Sequence, residues 1–400
     1  MGEVPEALES LKLWLAAPQI GAPSEIWLQR QISRLDTDIQ HILTWNDLSQ
    51  EPENNARCTI LSSPLPGLGD LGRSRWLHRA KRWATGNYYG ADRQEVTSLT
   101  RVAFSGQPPN AILAHFGHTG LRMLPLAKQL KIPCVVHFHG LDLSSMLRIG
   151  WYRKSLERNL EQFSALICVG SAQKDQLLEL GADPQRIHII PCGVPVSDFA
   201  STPQKEHAGK VEFVTIGRLV PQKGTEIVIR ALATIPDNSH LTIVGDGPER
   251  SRLAAIAQEL KVEHRITFVG IQTSKAVHRI LEQSHVLIQH SLEVGGWSEG
   301  FGVTVAEAAA VGRPVIVSDL GGLLDQVIDG ETGFVTPQRD VSALGQRMKQ
   351  LALEAGLRER MGQAGLRRVV ENFDTDKQVA KLRAVLVHAV EKGRKGKSSE

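Results

Sequence analysis

Two α/β domains, each built on a parallel sheet, are predicted by three observations. Short runs rich in Val, Ile and Leu alternate with longer amphipathic stretches along almost the whole chain, the rhythm of strands joined by crossover helices. At 400 residues the chain exceeds what one hydrophobic core usually holds. A stretch without apolar periodicity, residues 194–210, carries Pro195 and Pro203 with Pro191 at its edge, and reads as a linker between two series of such runs.

In order, the first series of expected strands is "LKLWLA", "DIQHILTW", "CTILSS", "AILAHF", "CVVHFHG", "ALICVGS" and "IHIIPCG". The second is "VEFVTIG", "HLTIVGDG", "RITFVG", "HVLIQHS", "PVIVSD" and "TGFVTP". Near the end, Val379, Leu382, Val385 and Leu386 form a helical stripe behind the N-cap candidate Asp374. The expected domains are residues 1–200 and 201–375, with a last helix over 376–392 packing back on the first domain and a frayed charged tail over 393–400.

The formal net charge of +3 is too balanced to suggest a nucleic-acid binder. Cys58, Cys134, Cys168 and Cys192 lie far apart and lack zinc-ligand spacing, and Cys134, Cys168 and Cys192 sit in apolar runs where reduced structural thiols are expected, which fits a cytoplasmic setting. No window approaches 18 consecutive apolar residues, and the first residues lack a signal-peptide pattern.

The informative turns are in the second half. In "VEFVTIGRLVPQKGTEIVIRAL" a strand runs through a glycine turn into a helix, leaving Arg218 past the strand and Lys223 beside Gly224. Ligands of open parallel sheets bind at the carboxyl ends of strands near helix N-termini, so this pair suits a diphosphate, although solvated surface cations remain the alternative on this segment alone.

"SEGFGVTVAEAAAVGRP" places Glu299 and Glu307 eight residues apart. In one continuous helix they would stand about 80° and about 12 Å apart, too far for one small ligand. The glycines predict otherwise: a loop carrying Glu299, then a helix from about Val303 to Val311 closed by Gly312 as a left-handed cap. Two carboxylates on one long ligand, with helix amides facing phosphates, fit a sugar nucleotide, and ordinary loop and core-edge acids are the alternative reading.

These residues carry a resemblance. "SEGFGVTVAEA" resembles the E-x7-E signature of the retaining GT-B glycosyltransferases of family four. "GRLVPQKG", "VGDGPE", "GRPVIVSDLGG" and "DGETGFV" are similar to neighbouring motifs of that family in the same order, and "HFHGLDLS" to its H-G-x-D segment. The nearest likeness is to enzymes building bacterial exopolysaccharides such as colanic acid.

The resemblance implies two Rossmann-like domains facing across a cleft. It also implies transfer of a hexose-type sugar from a UDP- or GDP-linked donor to a glycan or lipid-linked acceptor, with retained anomeric configuration. By the same resemblance Arg218 and Lys223 neutralise the diphosphate and Glu307 binds the ribose. Glu299 with the backbone of Gly300, Phe301, Gly302 and Val303 holds the sugar. Val269 and Gly270 flank the base, His139 lies near the reacting carbon, and Asp142 belongs to the acceptor side. No metal and no other cofactor are expected. Rival readings are a sugar-nucleotide epimerase or phosphorylase, and a non-catalytic nucleotide-sugar-binding subunit.

Weaker signals are set against these. "GLGDLG", Gly67 to Gly72, matches a dinucleotide fingerprint but follows Pro64 and Pro66 and lacks the expected helix start. The two "DTD" triplets, 36–38 and 374–376, read as ordinary caps. Arg73 to Tyr89 mixes cations with aromatics and is a candidate for contact with the inner face of the membrane, an amphipathic helix being the alternative. His115 and His137 read as core histidines, on the expectation that only one of His137 and His139 faces a given side of its strand.

Overall fold

A computed structural model of the chain describes residues 11–22, 25–47, 57–61, 91, 93–199 and 209–398. The segments "GLGDLG" and Arg73 to Tyr89 lie outside the described residues. Every one of the thirteen expected runs forms a strand, and every pairing between them is parallel.

The chain divides into two compact units. One runs through Val169 and takes in Gln173–Ile190 and the end of the chain from Val379; the other comprises Gly170–Ala172 and Pro191–Gln378.

The first unit carries β1 (Leu13–Ile20), β2 (Ile39–Asp47), β3 (Cys58–Ile60), β4 (Ala111–His115), β5 (Cys134–Phe138), β6 (Ala165–Cys168) and β7 (Ile187–Ile189). Their order in the sheet is β3-β2-β1-β4-β5-β6-β7. Residues of β4, β5 and β6 are buried on both faces, as the near-continuous apolar runs require of a sheet covered on each side. One face packs on Leu121, Leu124, Tyr152, Leu156 and Phe163. The other meets the final helix, Thr375–Ser398, through Val379, Leu382, Leu386 and Ala389 against Leu13, Leu15, Leu113 and Val135. That helix stays helical through Ser398, where the sequence suggested a frayed tail.

The second unit carries β8 (Val211–Ile216), β9 (Ser239–Val244), β10 (Ile266–Gly270), β11 (Val286–Gln289), β12 (Val315–Ser318) and β13 (Gly333–Thr336), in the order β10-β9-β8-β11-β12-β13. Its core gathers Phe213, Ile229, Leu241, Ile288, Ile316 and Leu344. In each sheet the strand order reverses once, between β1 and β4 and between β8 and β11. Helices leave such a switch point in opposite directions and open a crevice at the carboxyl ends of the strands.

The triplets behave differently from one another. Asp374 caps as expected, its Oδ1 accepting the amides of Asp376 and Lys377 at 3.1 Å. Asp38 does not cap: it is buried and accepts both arms of the Arg383 guanidinium at 2.9 and 3.2 Å, a pairing that only the fold brings together. All four cysteines are free thiols. Among the described residues no helix is long and apolar enough to cross a membrane.

Candidate active site

In the second unit the switch point joins the two turns that the sequence singled out. After β8 the chain makes a single 3-10 turn, Pro221–Lys223, and Gly224 follows with φ 58°. A Cβ there would collide with the carbonyl oxygen of His290, so glycine is required both by its backbone angle and by the close approach of the two loops. This approach brings the Lys223 ammonium to the loop after β11.

There it meets Glu299. The Lys223 Nζ stands 2.6 Å from Glu299 Oε2, and the same oxygen accepts from Gln289 Nε2 at 3.0 Å and from Ser291 Oγ at 2.9 Å. Thr304 Oγ1 donates to Gln289 Oε1 at 2.6 Å and orients its amide. The Lys223 and Glu299 side chains are 22% and 10% exposed, and the Nζ also sits 5.2 Å from the Trp297 ring centre, within cation-π range. One buried carboxylate oxygen is therefore held by three donors, one from the turn after β8 and two from the end of β11.

The Gly-Phe-Gly loop is braced from behind. Gly302 donates its amide to Gln326 Oε1 at 2.8 Å and accepts from Gln326 Nε2 at 3.0 Å. Gly322 donates to the Glu299 carbonyl at 2.9 Å, and a Cβ at 322 would strike the Gly300 carbonyl oxygen. The helix Val303–Ala310 starts as expected and has no side-chain cap at its N-terminus. It closes at Gly312 with φ 71°, the left-handed stop read from the sequence. Glu307 is buried in its second turn.

Arg218 is exposed just past β8, and no hydrogen bond or ion pair holds its side chain among the described residues. Val269 and Gly270 end β10, where Gln272 Nε2 donates to the Val269 carbonyl at 2.7 Å and Gly270 adopts φ 70°. The residues that sequence reasoning missed are Gln289, Ser291, Trp297 and Gln326. Gln289 had a visible signal, a lone amide inside the apolar run of β11.

In the first unit, His115 ends β4 and His137 and His139 lie on and just beyond β5. Positions two apart on a strand share a face, so His137 and His139 point the same way, correcting the expectation that only one could. His139 is buried, its Nε2 3.2 Å from His115 Nδ1 and its ring centre 3.9 Å from that of Trp27. Burial holds His139 and His115 well below the usual histidine range, with neighbouring imidazoles adding to it, and pushes His137 and His118 down to about 4. Asp142 is fully buried, and its two oxygens accept the amides of Gly117 and His139 at 2.9 Å each. Burial pushes it up to about 6 despite those bonds. Asp142 thus braces the turns after β4 and β5.

Residues 198–368 match the family described as Glycosyl transferases group 1, and residues 50–198 match the one described as Glycosyltransferase Family 4. The chain belongs to these glycosyltransferases. Among curated relatives it is 26% identical over 286 residues to a protein of Salmonella typhimurium named for colanic acid biosynthesis as a glycosyltransferase, covering 69% of this chain and 70% of the relative. It is 24% identical over 272 residues to the amylovoran biosynthesis glycosyltransferase AmsK of Erwinia amylovora, covering 66% and 67%. The fold matches that of Anabaena HepE, crystallised with UDP and glucose, with a TM-score of 0.73 at 17% identity over 94% of this glycosyltransferase and 99% of HepE. It likewise matches sucrose-phosphate synthase from Thermosynechococcus elongatus, with a TM-score of 0.73 at 20% identity over 94% and 98%. These are GT-B architectures, and this glycosyltransferase shares that fold.

Proposed function

We propose that this glycosyltransferase moves a hexose from a UDP- or GDP-linked donor to a glycan or lipid-linked acceptor of a cell-surface polysaccharide, with retention of configuration. The observation that carries the donor half of the reading is the cluster of Lys223, Gln289 and Ser291 on Glu299, beside the uncapped N-terminus of the helix Val303–Ala310. A diphosphate needs fixed positive charge as it leaves, and a sugar needs a carboxylate that accepts from its hydroxyls. Both kinds of group stand here within one hydrogen bond of each other.

Donor binding then exchanges partners. The Lys223 ammonium turns from Glu299 to the diphosphate, joined by Arg218 and by the amides that open the helix. Glu299, still held by Gln289 and Ser291, accepts from the sugar hydroxyls, and Glu307 from the ribose. Preorganised donors aimed at developing charge each lower a barrier by about 3 to 4 kcal/mol. The polysaccharide context draws on the names of the Salmonella and Erwinia relatives, and the uridine nucleotide on the ligand of HepE.

A thermal-shift panel of UDP, GDP, ADP and their common sugars tests the donor reading. A ligand at 100 times its dissociation constant stabilises by about 2.7 kcal/mol, so one base should raise the melting temperature clearly. No shift with any nucleotide would overturn the donor assignment. Incubation with donor alone then separates transfer from epimerisation, which needs no acceptor, and NMR of the product's anomeric proton reads retention.

A further inference from the structure

We propose that Trp297 is the surface on which the donor's hexose stacks, a specificity-determining residue that favours an intact sugar nucleotide over the bare nucleoside diphosphate. This role rests on the donor reading above and extends it to the recognition of the sugar.

A tight hairpin after β11 carries the ring. Val294 and Trp297 pair as an antiparallel bridge, and Trp297 donates its amide to the Val294 carbonyl at 3.1 Å. Gly295 and Gly296 make the turn with φ of 62° and 73°, the two positive angles that suit a two-residue hairpin turn. The hairpin is braced at its base. Glu293 donates its amide to Gln338 Oε1 at 2.7 Å, its carbonyl accepts from Arg339 Nη2 at 3.1 Å, and its Oε1 accepts the Gly296 amide at 3.1 Å. Leu292 donates to the carbonyl of Gln222, the neighbour of Lys223, at 2.7 Å.

This bracing holds a side chain that the core does not use. Trp297 is half-buried and lies outside the apolar core of the second unit. Its ring centre is instead 5.2 Å from Lys223 Nζ, the same ammonium that stands 2.6 Å from Glu299 Oε2. The electron-rich face of an indole attracts such a charge. Ring and carboxylate thus flank one cation.

When the ammonium turns to the diphosphate it leaves two partners behind, the carboxylate and the ring face. A hexose replaces it on both. Its hydroxyls donate to Glu299, and the weakly positive C–H bonds on one face of the pyranose lie on the negative face of the indole. A nucleoside diphosphate without sugar draws the ammonium away and leaves the ring uncovered, so the ring discriminates donor from spent product.

Isothermal titration of the full chain with UDP and UDP-glucose, and with GDP and GDP-mannose, tests the stack. The quantity read is the ratio of sugar-nucleotide affinity to that of its nucleoside diphosphate. Trp297→Ala should lower this ratio by about 2- to 12-fold, the equivalent of one stacked ring contact of about 0.5 to 1.5 kcal/mol. Affinity for the nucleoside diphosphate itself should stay the same or tighten, since the ammonium loses a competing partner. Trp297→Phe, which keeps an aromatic face, should restore most of the ratio. An unchanged ratio in folded Trp297→Ala, including a loss of both affinities in the same proportion, would overturn the stacking role and leave the donor reading intact. Absence of nucleoside diphosphate binding to the unsubstituted protein would overturn the donor reading and the stacking role with it. Should Trp297→Ala misfold by circular dichroism, Trp297→Leu, which keeps an apolar side chain on the hairpin, takes its place with the same outcomes.

Discussion

Replacing Lys223 by methionine keeps the aliphatic stem and deletes the ammonium. In a fully buried pair, removing one partner costs about 3 to 5 kcal/mol because the other charge is stranded. Here the Lys223 side chain is 22% exposed and Glu299 keeps Gln289 and Ser291 as donors, so the expected loss of stability is about 1 to 2 kcal/mol, the size of one hydrogen bond. Nucleotide binding should suffer more. A charged hydrogen bond to phosphate contributes about 1.5 to 3 kcal/mol, which corresponds to roughly 10- to 150-fold weaker affinity. Isothermal titration with UDP and GDP reads the affinity, and urea melts read the stability. Adding Glu299→Gln closes a double-mutant cycle whose coupling in stability should lie at about 0.5 to 3 kcal/mol, as for residues in direct contact. An unchanged nucleoside diphosphate affinity in a folded Lys223→Met protein would refute the partner exchange.

Three further outcomes are expected. Glu299→Gln should abolish transfer while circular dichroism stays native; loss of folded protein in step with activity would make the residue structural. Leu382→Ala, at a fully buried position of the last helix, should cost about 2 to 5 kcal/mol, and a melting temperature unchanged from the parent would contradict its place in the core. Acid should destabilise the protein: burial lowers His118, His137 and His290 to about 4, so the unfolded chain takes up protons that the folded one refuses as the pH drops from about 6.5 to 4. Each ring costs about 3 kcal/mol over that window, and Asp142, raised to about 6, offsets only about one of them because its folded form binds the proton more tightly. Denaturation midpoints that are flat or rising toward pH 4 would refute the sign.

Strand positions were legible because a strand buried on both faces leaves little choice of residue, and each apolar run in this chain is short enough to exclude a helix of ordinary length. The turn at Glu299 was legible because Gly300, Gly302 and Gly312 mark the two ends of a short helix. What holds Glu299 was not. Gln289, Ser291 and Lys223 converge on one oxygen because β11 pairs with β8, an adjacency fixed by sheet order and invisible in local pattern. Asp38 was misread for the same reason, since its partner Arg383 lies 345 residues away. The histidines erred differently: the strand period that separates neighbours unites alternate positions, and applying it to His137 and His139 places both beside His115.

The last helix bears on how the chain folds as it is made. The first unit fills one face of its sheet with Val379, Leu382, Leu386 and Ala389, residues that emerge from the ribosome only after the whole of the second unit, whereas nearly all of that second unit is one continuous stretch, Pro191–Gln378. Domains tend to fold as units once their residues are available. In this protein the half made first must wait with an uncovered apolar face, and the half made second is the first able to finish.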